Sequence, residues 1–154
     1  MRITSTGAVL QPNQPAFYAA GSTSTSYSGG SIIGFSKSNT TNPYDQTNSF
    51  NNSTSAFTAP VGGLYHFDVA IYVWSGSSST VQSYAVYVNG SAYSNSDTFI
   101  AYQQVTSTSA DQQTRWSFTI KLNSGDYIQI GIRPGAPTLS IYAGHTYFQG
   151  FLVG

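Results

Sequence analysis

The chain has 154 residues, a length that suits one domain. Charged residues make up only 6% of it, the formal net charge is +0, and there is no cysteine. This composition excludes disulfides and thiolate metal sites, and without a basic stripe it argues against binding of nucleic acid or anionic lipid through charge. No apolar run approaches the ~18 residues of a membrane-spanning helix, so membrane insertion is not expected.

The first predicted element is a leader or connector, Met1–Pro15, followed by one domain over residues 16–154. Proline residues in the leader interrupt regular structure. Its apolar residues Ile3, Val9 and Leu10 predict one edge strand or a connection to a neighbouring module. The first residues lack the apolar stretch of a secretory signal, so we expect no signal peptide.

The strongest predicted strand is Leu64–Trp74, in which core-type and surface-type residues alternate. This period of two is typical of a strand with two different faces. The side chains predicted to fill the core are Tyr65, Phe67, Val69, Ile71 and Val73. The other face carries His66, Asp68, Tyr72 and Trp74. Large aromatic side chains on a face outside the core predict a subunit contact.

Strand patterns continue to the end of the chain without a helical period. The later predicted strands are Gln82–Val88, Phe99–Val105, Arg115–Leu122, Tyr127–Ile132, Leu139–Tyr142 and Tyr147–Val153. Asn89-Gly90 predicts a tight hairpin because both positions tolerate φ > 0. The Ser/Thr-rich stretches 21–31 and 75–80 predict loops. Many short strands separated by turns predict an all-β sandwich or jelly roll.

Several motifs occur in an order and spacing that resemble one known family. They are Asn42–Asp45 followed by Phe50, Phe57–Phe67 (FTAPVGGLYHF), Val88–Gly90, Leu122–Asp126 (LNSGD) and Tyr147–Val153 (YFQGFLV). Together they resemble the complement-1q globular-head family, which is similar in fold to tumour necrosis factor. The resemblance implies an all-β, two-sheet antiparallel jelly-roll sandwich that forms a compact homotrimer.

The leader points to a particular setting for such a domain. Residues 7–17 are similar to short leaders before these domains in bacteriophage tail-fibre and other virion proteins. The resemblance implies a non-enzymatic virion module, the trimeric head of a tail fibre or tail tip that contacts the host surface. Its expected partners are further copies of itself, other virion proteins through the N-terminal segment, and a host surface glycan or protein. Its expected location is the virion, outside the cell after host lysis.

The family's trimer geometry implies which side chains meet near the three-fold axis. The predicted trimer-axis contact comprises His66, Asp68, Tyr72, Trp74, Arg115, Lys121, Tyr147 and Phe151. Three converging copies of Asp68 repel one another unless a cation intervenes. One hypothesis is therefore an ion-pair network between Asp68 and Arg115 of neighbouring subunits. The other is that Asp68 is an ordinary solvated strand residue.

Other functions stay open at this point. A cellular complement-1q-like lectin or adhesin that binds carbohydrate or protein is the alternative, and an enzyme such as a depolymerase is a more distant third. Candidate receptor-loop residues are Tyr93, Asn95 and Asp97. Ordinary loop polarity also explains the same three residues, and it is the preferred interpretation of each.

No catalytic residues and no cofactor are predicted. The two histidines have no spacing typical of a zinc site, and no Gly-x-Ser-x-Gly motif marks a nucleophile. Asp45 and Asp126 can be considered as Ca²⁺ ligands, as the family resemblance suggests. Both, however, stand at turn positions, where Asp is common for backbone reasons, and the turn interpretation is preferred.

Overall fold

The computed structural model describes residues 2–3, 9–10, 13–41, 43–74, 81–92, 100–104 and 111–154. These residues form strands β1 (Arg2–Ile3), β2 (Val9–Leu10), β3 (Ala16–Gly21), β4 (Thr25–Tyr27), β5 (Phe35–Ser36), β6 (Tyr44–Asp45), β7 (Phe50–Asn51), β8 (Ala56–Thr58), β9 (Gly63–Val73), β10 (Val81–Val88), β11 (Ser91–Ala92), β12 (Ile100–Gln104), β13 (Gln112–Leu122), β14 (Tyr127–Ile132), β15 (Leu139–Ile141) and β16 (Tyr147–Leu152). Short 3-10 helices occur at η1 (Lys37–Asn39) and η2 (Ala143–His145). Within these ranges, no helix has the length and apolar character needed to cross a membrane.

Two antiparallel sheets pack face to face. Sheet I has the order β4–β15–β9–β16–β3–β5, with β13 also paired to β9 and β6 paired to β3. Sheet II has the order β11–β10–β14–β8–β7, with β12 also paired to β10. Neighbouring strands come from distant parts of the chain, as they do in a jelly roll. The predicted all-β, two-sheet antiparallel jelly roll is therefore confirmed.

The core lies between the sheets and is formed by side chains that alternate along each strand. The inward residues predicted on β9 are all buried, namely Tyr65, Phe67, Val69, Ile71 and Val73. Phe17 of β3 connects the two sheets, because its ring centroid lies 4.8 Å from Phe57 and 4.9 Å from Phe148. Contacts between sheets through large aromatic rings hold the two layers in a fixed position.

The hairpin predicted at Asn89-Gly90 joins β10 to β11. Asn89 has φ 52° and Gly90 has φ 80°, so both turn positions lie in the left-handed region. Such turns match the right-handed twist of the flanking strands. The Asn89 side chain also accepts a hydrogen bond from the backbone N–H of Tyr127 at 3.0 Å, which ties the hairpin to β14.

The N-terminal third departs from the sequence-based expectation at two places. The leader was expected to form one edge strand or a connection, but β1 and β2 pair with each other in a separate two-stranded sheet. Residues 21–31 were expected to form a loop, but β4 lies within them and pairs with β15 at the edge of sheet I. Edge strands tolerate polar side chains because one side of the strand faces solvent. Here the hydroxyls of Ser26 and Ser140 lie 3.0 Å apart across the pair. The second stretch expected to be a loop, 75–80, lies outside the described residues.

Candidate functional site

The candidate site is the face of sheet I that points away from the core, called here the outer face. The even-numbered residues of β9 lie on it, since the odd-numbered ones fill the core. In the strand register, Asp68 stands between Ser117 of β13 and Gln149 of β16. Two residues earlier on β9, His66 stands between Thr119 of β13 and Phe151 of β16. The outer-face side chains of the three strands therefore form rows that run across the sheet.

A polar group occupies the middle of the outer face. The Asp68 carboxylate lies 3.2 Å from Nε2 of His66 and accepts a hydrogen bond from the Gln149 side chain at 3.3 Å. The other ring nitrogen of His66 lies 3.3 Å from the Thr119 hydroxyl. The His66 and Asp68 side chains are 29% and 33% exposed, so this pair of side chains keeps contact with solvent. Such a pair contributes little to the stability of a monomer.

Arg115 lies beside this polar group without bonding to it in the isolated chain. Its Nε donates a hydrogen bond to the Gln113 side chain at 2.8 Å. In the strand register, Arg115 of β13 stands opposite Ala70 of β9. A shallow cavity of about 280 Å³ lies between Asp68, Arg115 and Tyr147. The Asp68–Arg115 network between subunits stays a prediction, and within one subunit both groups border the same cavity.

A row of tyrosines continues from this cavity across three strands. The Tyr18 ring centroid lies 5.8 Å from Tyr147 and 6.1 Å from Tyr44. Burial raises the pKa of Tyr18, and the neighbouring Tyr147 adds to the effect. Burial likewise raises the pKa of Tyr44, and the nearby Tyr18 and Asp68 raise it further. Tyrosine phenols are protonated near neutral pH even without such a shift, so both can donate hydrogen bonds to a partner.

The remaining predicted contact residues lie in two places on the same face. Phe151 is 43% exposed and its ring lies 5.3 Å from the His66 ring. Lys121 of β13 is exposed and stands opposite Leu64, near the start of β9. At the other end of β9, Tyr72 and Trp74 join a separate group of rings. The candidate receptor-loop residues Tyr93, Asn95 and Asp97 lie outside the described residues.

That separate group is called here the aromatic cluster, and it comprises Tyr72, Trp74, Tyr142 and His145. The Trp74 and Tyr142 centroids are 5.2 Å apart, and those of Tyr72 and His145 are 5.1 Å apart. Tyr142 also lies 5.5 Å from His145. Trp74 is 45% exposed, so the cluster presents a large apolar ring to its surroundings.

The two aspartates considered as calcium ligands are engaged with their own turns. Asp45 accepts backbone N–H groups of Ser49 at 2.8 Å and Phe50 at 2.9 Å, and it pairs with Lys37 at 2.6 Å. Asp126 accepts the backbone N–H of Asn123 at 2.7 Å. The Asn89 side chain also donates to Asp126, and these hydrogen bonds lower the Asp126 pKa. Among the described residues, no three His, Cys, Asp or Glu side chains group as metal ligands do.

Sequence analysis missed several residues of the outer face. They are Tyr18, Tyr44, Tyr142, His145 and Gln149, which belong to separate segments of the chain. A signal for Tyr18 is present in the alternation of Ala16–Gly21, where Phe17 and Ala19 are buried and Tyr18 lies on the opposite side. No comparable pattern marks Tyr44 or Tyr142, because each stands in a short segment whose neighbours are distant in sequence.

The sheet order and the core define this protein as a jelly-roll sandwich of the complement-1q and tumour-necrosis-factor class. Its solved relatives include the globular domain of zebrafish complement 1qA protein, with a TM-score of 0.68, 18% identity and coverage of 92% of this chain and 98% of that one. Another is Eiger TNF from S. frugiperda, with a TM-score of 0.66, 14% identity and coverage of 92% and 94%. At these identities the likeness concerns the fold.

A comparison of the sequence with models of protein families identifies the family of this chain. The family model of the C1q domain matches residues 16–153, and the chain belongs to the C1q domain family. No curated protein sequence matches it significantly. Domains of this family and of the related tumour-necrosis-factor fold commonly form trimers, bind ligands, act outside the cell and have no enzymatic activity.

Proposed function

We propose that this chain is the non-enzymatic, homotrimeric head of a bacteriophage tail fibre or tail tip, which contacts the host surface. The observation that carries the trimer is the composition of the outer face. It combines an exposed Phe151, the row of tyrosines and a half-buried His66–Asp68 pair. Aromatic side chains surrounded by polar groups are typical of surfaces that a protein partner covers.

In the proposed trimer, the outer face of one subunit packs near the three-fold axis against its neighbours. The contact comprises His66, Asp68, Tyr72, Trp74, Arg115, Lys121, Tyr147 and Phe151. Bringing Arg115 of one subunit to Asp68 of the next compensates the charge of the carboxylate when solvent is removed. A buried charge without a partner costs several kcal/mol, so this pairing is what makes the contact compatible with Asp68.

The proposed mechanism of host contact is multivalent recognition. Three identical sites on one head, each weak, gain avidity because the second and third binding events occur at high effective concentration. A nearly uncharged polar surface, with 6% charged residues, suits contact with a neutral glycan or protein. The N-terminal segment is the proposed attachment to other virion proteins, and the leader's resemblance to phage leaders supports this setting.

A cellular complement-1q-like lectin or adhesin is the second candidate. It is supported by the fold shared with the globular domain of zebrafish complement 1qA protein. The two candidates agree on the trimer and on ligand binding, and differ in where the protein resides. Immunogold labelling of particles released by lysis of the producing cells distinguishes them, since only the virion proposal expects labelled fibres.

The first test of the trimer is its mass in solution, measured by light scattering on a sizing column. We expect three times the 16.4 kDa mass of one chain, and we expect the peak to keep that mass on tenfold dilution. A stable monomer contradicts the proposed subunit contact and leaves the jelly roll unaffected. Circular dichroism of the same sample establishes that either species is folded.

A further inference from the structure

We propose that Asn89 is a site of spontaneous deamidation, and that Asp126 holds it unreacted in the folded protein. Asn89-Gly90 is the only Asn-Gly pair in the sequence. Such a pair reacts readily because glycine has no side chain to shield its backbone nitrogen from the neighbouring amide. The turn belongs to sheet II, so its chemistry depends on neither the proposed trimer nor the proposed host contact.

The reaction requires water and no other reagent. The backbone nitrogen of Gly90 forms a bond to Cγ of Asn89 and gives up its proton, the bond from Cγ to Nδ2 breaks, and ammonia leaves with that proton. Water then opens the resulting cyclic succinimide at one of its two carbonyl carbons. Opening at one carbon gives aspartate, and opening at the other gives isoaspartate, in which the main chain runs through the former side chain. Both products carry a carboxylate in place of the neutral amide.

Burial does not protect this turn. Asn89 and Gly90 are both exposed, so water reaches the reacting atoms. Exposed turns also open locally far more often than the core of a protein unfolds. Protection therefore has to come from contacts that fix the Asn89 side chain while the turn is closed.

Three hydrogen bonds fix Asn89 against the turn that precedes β14. Its backbone N–H donates to the Tyr127 carbonyl at 3.0 Å, and its side-chain oxygen accepts from the Tyr127 N–H at 3.0 Å. Its Nδ2 donates to the Asp126 carboxylate at 2.9 Å. Both ends of the side-chain amide are therefore engaged, and Cγ cannot turn toward the Gly90 nitrogen unless these side-chain bonds break.

Asp126 is itself fixed by its own turn. Its other carboxylate oxygen accepts the backbone N–H of Asn123 at 2.7 Å, and its backbone carbonyl accepts the N–H of Ala59 at 2.8 Å. The carboxylate is therefore already in position beside Asn89. A hydrogen bond to an ionised carboxylate is roughly twice as strong as one between neutral groups, so Asp126 is the stronger of the two partners of the Asn89 side chain.

Deamidation turns this attraction into a repulsion. The product has no side-chain N–H to donate, and two carboxylates would face each other across the 2.9 Å that the Asn89 bond now spans. Like charges at such a distance disfavour each other. We therefore expect the modified hairpin to lose its tie to Asp126, so that a turn that has reacted does not return to its original closed state.

The first experiment measures the rate of deamidation by peptide mass spectrometry, with isoaspartate detected by enzymatic methylation. The parent protein is incubated at neutral pH, both folded and unfolded in guanidinium chloride. We expect the folded protein to react on the order of tenfold more slowly than the unfolded chain. In the folded state, we expect Asp126→Ala to react several-fold faster than the parent. The control Asp111→Ala, which removes an exposed carboxylate elsewhere, should match the parent.

Circular dichroism establishes that each variant is folded during the incubation. If Asp126→Ala does not fold, Asp126→Asn takes its place. This substitution keeps an acceptor for the Asn123 N–H and weakens the hold on Asn89 by removing the charge. We then expect the same acceleration of deamidation, reduced in size.

The second experiment exchanges the two side chains. We expect Asn89→Asp alone to lower the melting temperature by several degrees, because it places two carboxylates together. The double variant Asn89→Asp/Asp126→Asn should recover most of that loss. In it, the new carboxylate accepts from the Tyr127 N–H and from the new amide at position 126, whose oxygen still accepts from Asn123.

The proposal fails if Asn89 does not react in the unfolded chain, or if it reacts equally fast in the folded protein. A folded Asp126 variant that reacts no faster than the parent would assign the protection to the backbone of the turn and overturn the role of Asp126. A double variant as unstable as Asn89→Asp would refute the repulsion between carboxylates. The mass in solution decides the proposed trimer separately from all of these outcomes.

Discussion

Three polar side chains form a connected group in the core of this protein. The Tyr84 hydroxyl donates to the Gln82 side-chain oxygen at 3.0 Å, and the Thr114 hydroxyl donates to the same oxygen at 3.2 Å. The Tyr84 ring stacks on Trp116 with centroids 5.5 Å apart. Burial raises the Tyr84 pKa well above its ordinary value of 10.0, because an ionised phenol loses its hydration there.

This burial predicts a specific loss of stability in alkaline solution. Above pH 10 the unfolded chain releases the Tyr84 proton while the folded protein keeps it, so the free energy of unfolding falls as the pH rises. The expected contribution is up to about 1.4 kcal/mol for each pH unit above the unfolded pKa. Urea unfolding between about pH 9 and 11 measures it, a range that spans the ordinary tyrosine pKa.

Tyr84→Phe is the matched control for that experiment, since it removes the ionisable group and keeps the ring. The other partly buried tyrosines contribute to the slope of both proteins. We therefore expect the variant's stability to fall less steeply with pH than that of the parent. Equal slopes for the two proteins would show that Tyr84 ionises in the folded state as freely as in the unfolded chain.

At the scale of elements, β9 organises sheet I. It pairs along its whole length with β13 and along six residues with β16. The contact with β16 is close because Gly150 stands opposite Phe67 in the register. A Cβ at Gly150 would lie 2.7 Å from Cε1 of Phe67 and 2.9 Å from the carbonyl oxygen of His66. Glycine here makes room for a core ring beneath the strand.

Gly150→Ala is therefore expected to destabilise the protein by about 2–3 kcal/mol, because Phe67 is fixed by the surrounding rings and the carbonyl belongs to a paired strand. Thermal or urea unfolding measures the change. Gly62→Ala is the matched control, since the nearest atom to its added Cβ would be 3.7 Å away, an ordinary contact. An equal stability loss in both variants would contradict the packing explanation.

For the whole molecule, the decisive feature is the contrast between the two faces of sheet I. One face is buried against sheet II, and the other carries aromatic and polar groups that stay partly exposed in a single chain. A subunit contact through this face would remove the Asp68 carboxylate from water. The stability of the assembly then depends on a cation that compensates the Asp68 charge. Arg115 is the candidate, because it borders the same cavity as Asp68.

In the trimer, we expect Asp68→Ala to cost about 3 kcal/mol, because it leaves the neighbour's Arg115 without a partner. For a chain of this size the loss corresponds to a melting temperature lower by roughly 6–12 °C. Differential scanning calorimetry at fixed protein concentration measures it. Arg115→Ala should cost a similar amount, and the double variant should cost less than the sum of the two.

An unchanged melting temperature in Asp68→Ala would exclude the ion-pair network and leave Asp68 as a solvated strand residue. Strictly additive losses in the double variant would show that the two groups act separately. Asp68→Asn serves as the conservative control, because it keeps an acceptor for the Gln149 side chain and removes only the charge. We expect it to weaken the trimer nearly as much as Asp68→Ala.

The sequence by itself determined the long strands from β9 onward, the inward side chains of β9 and the tight turn at Asn89-Gly90. Side-chain alternation and the φ > 0 tolerance of Asn89-Gly90 are properties of neighbouring residues, so they can be recognised without knowing the fold. The same alternation placed His66, Asp68, Tyr72 and Trp74 on one face. The family motifs then supplied the arrangement of two sheets, which alternation alone does not specify.

Only the tertiary structure decided which residues of different strands meet. The rows of the outer face depend on pairings between residues that are distant in sequence, as between Tyr18 of β3 and Gln149 of β16. Tyr18, Tyr44 and Tyr147 become neighbours through such pairings, and so do Trp74 and Tyr142. Strand β4 was missed for the same reason, because its polar residues become a strand only beside β15. Long-range register is set by the packing of the whole core, which no local pattern contains.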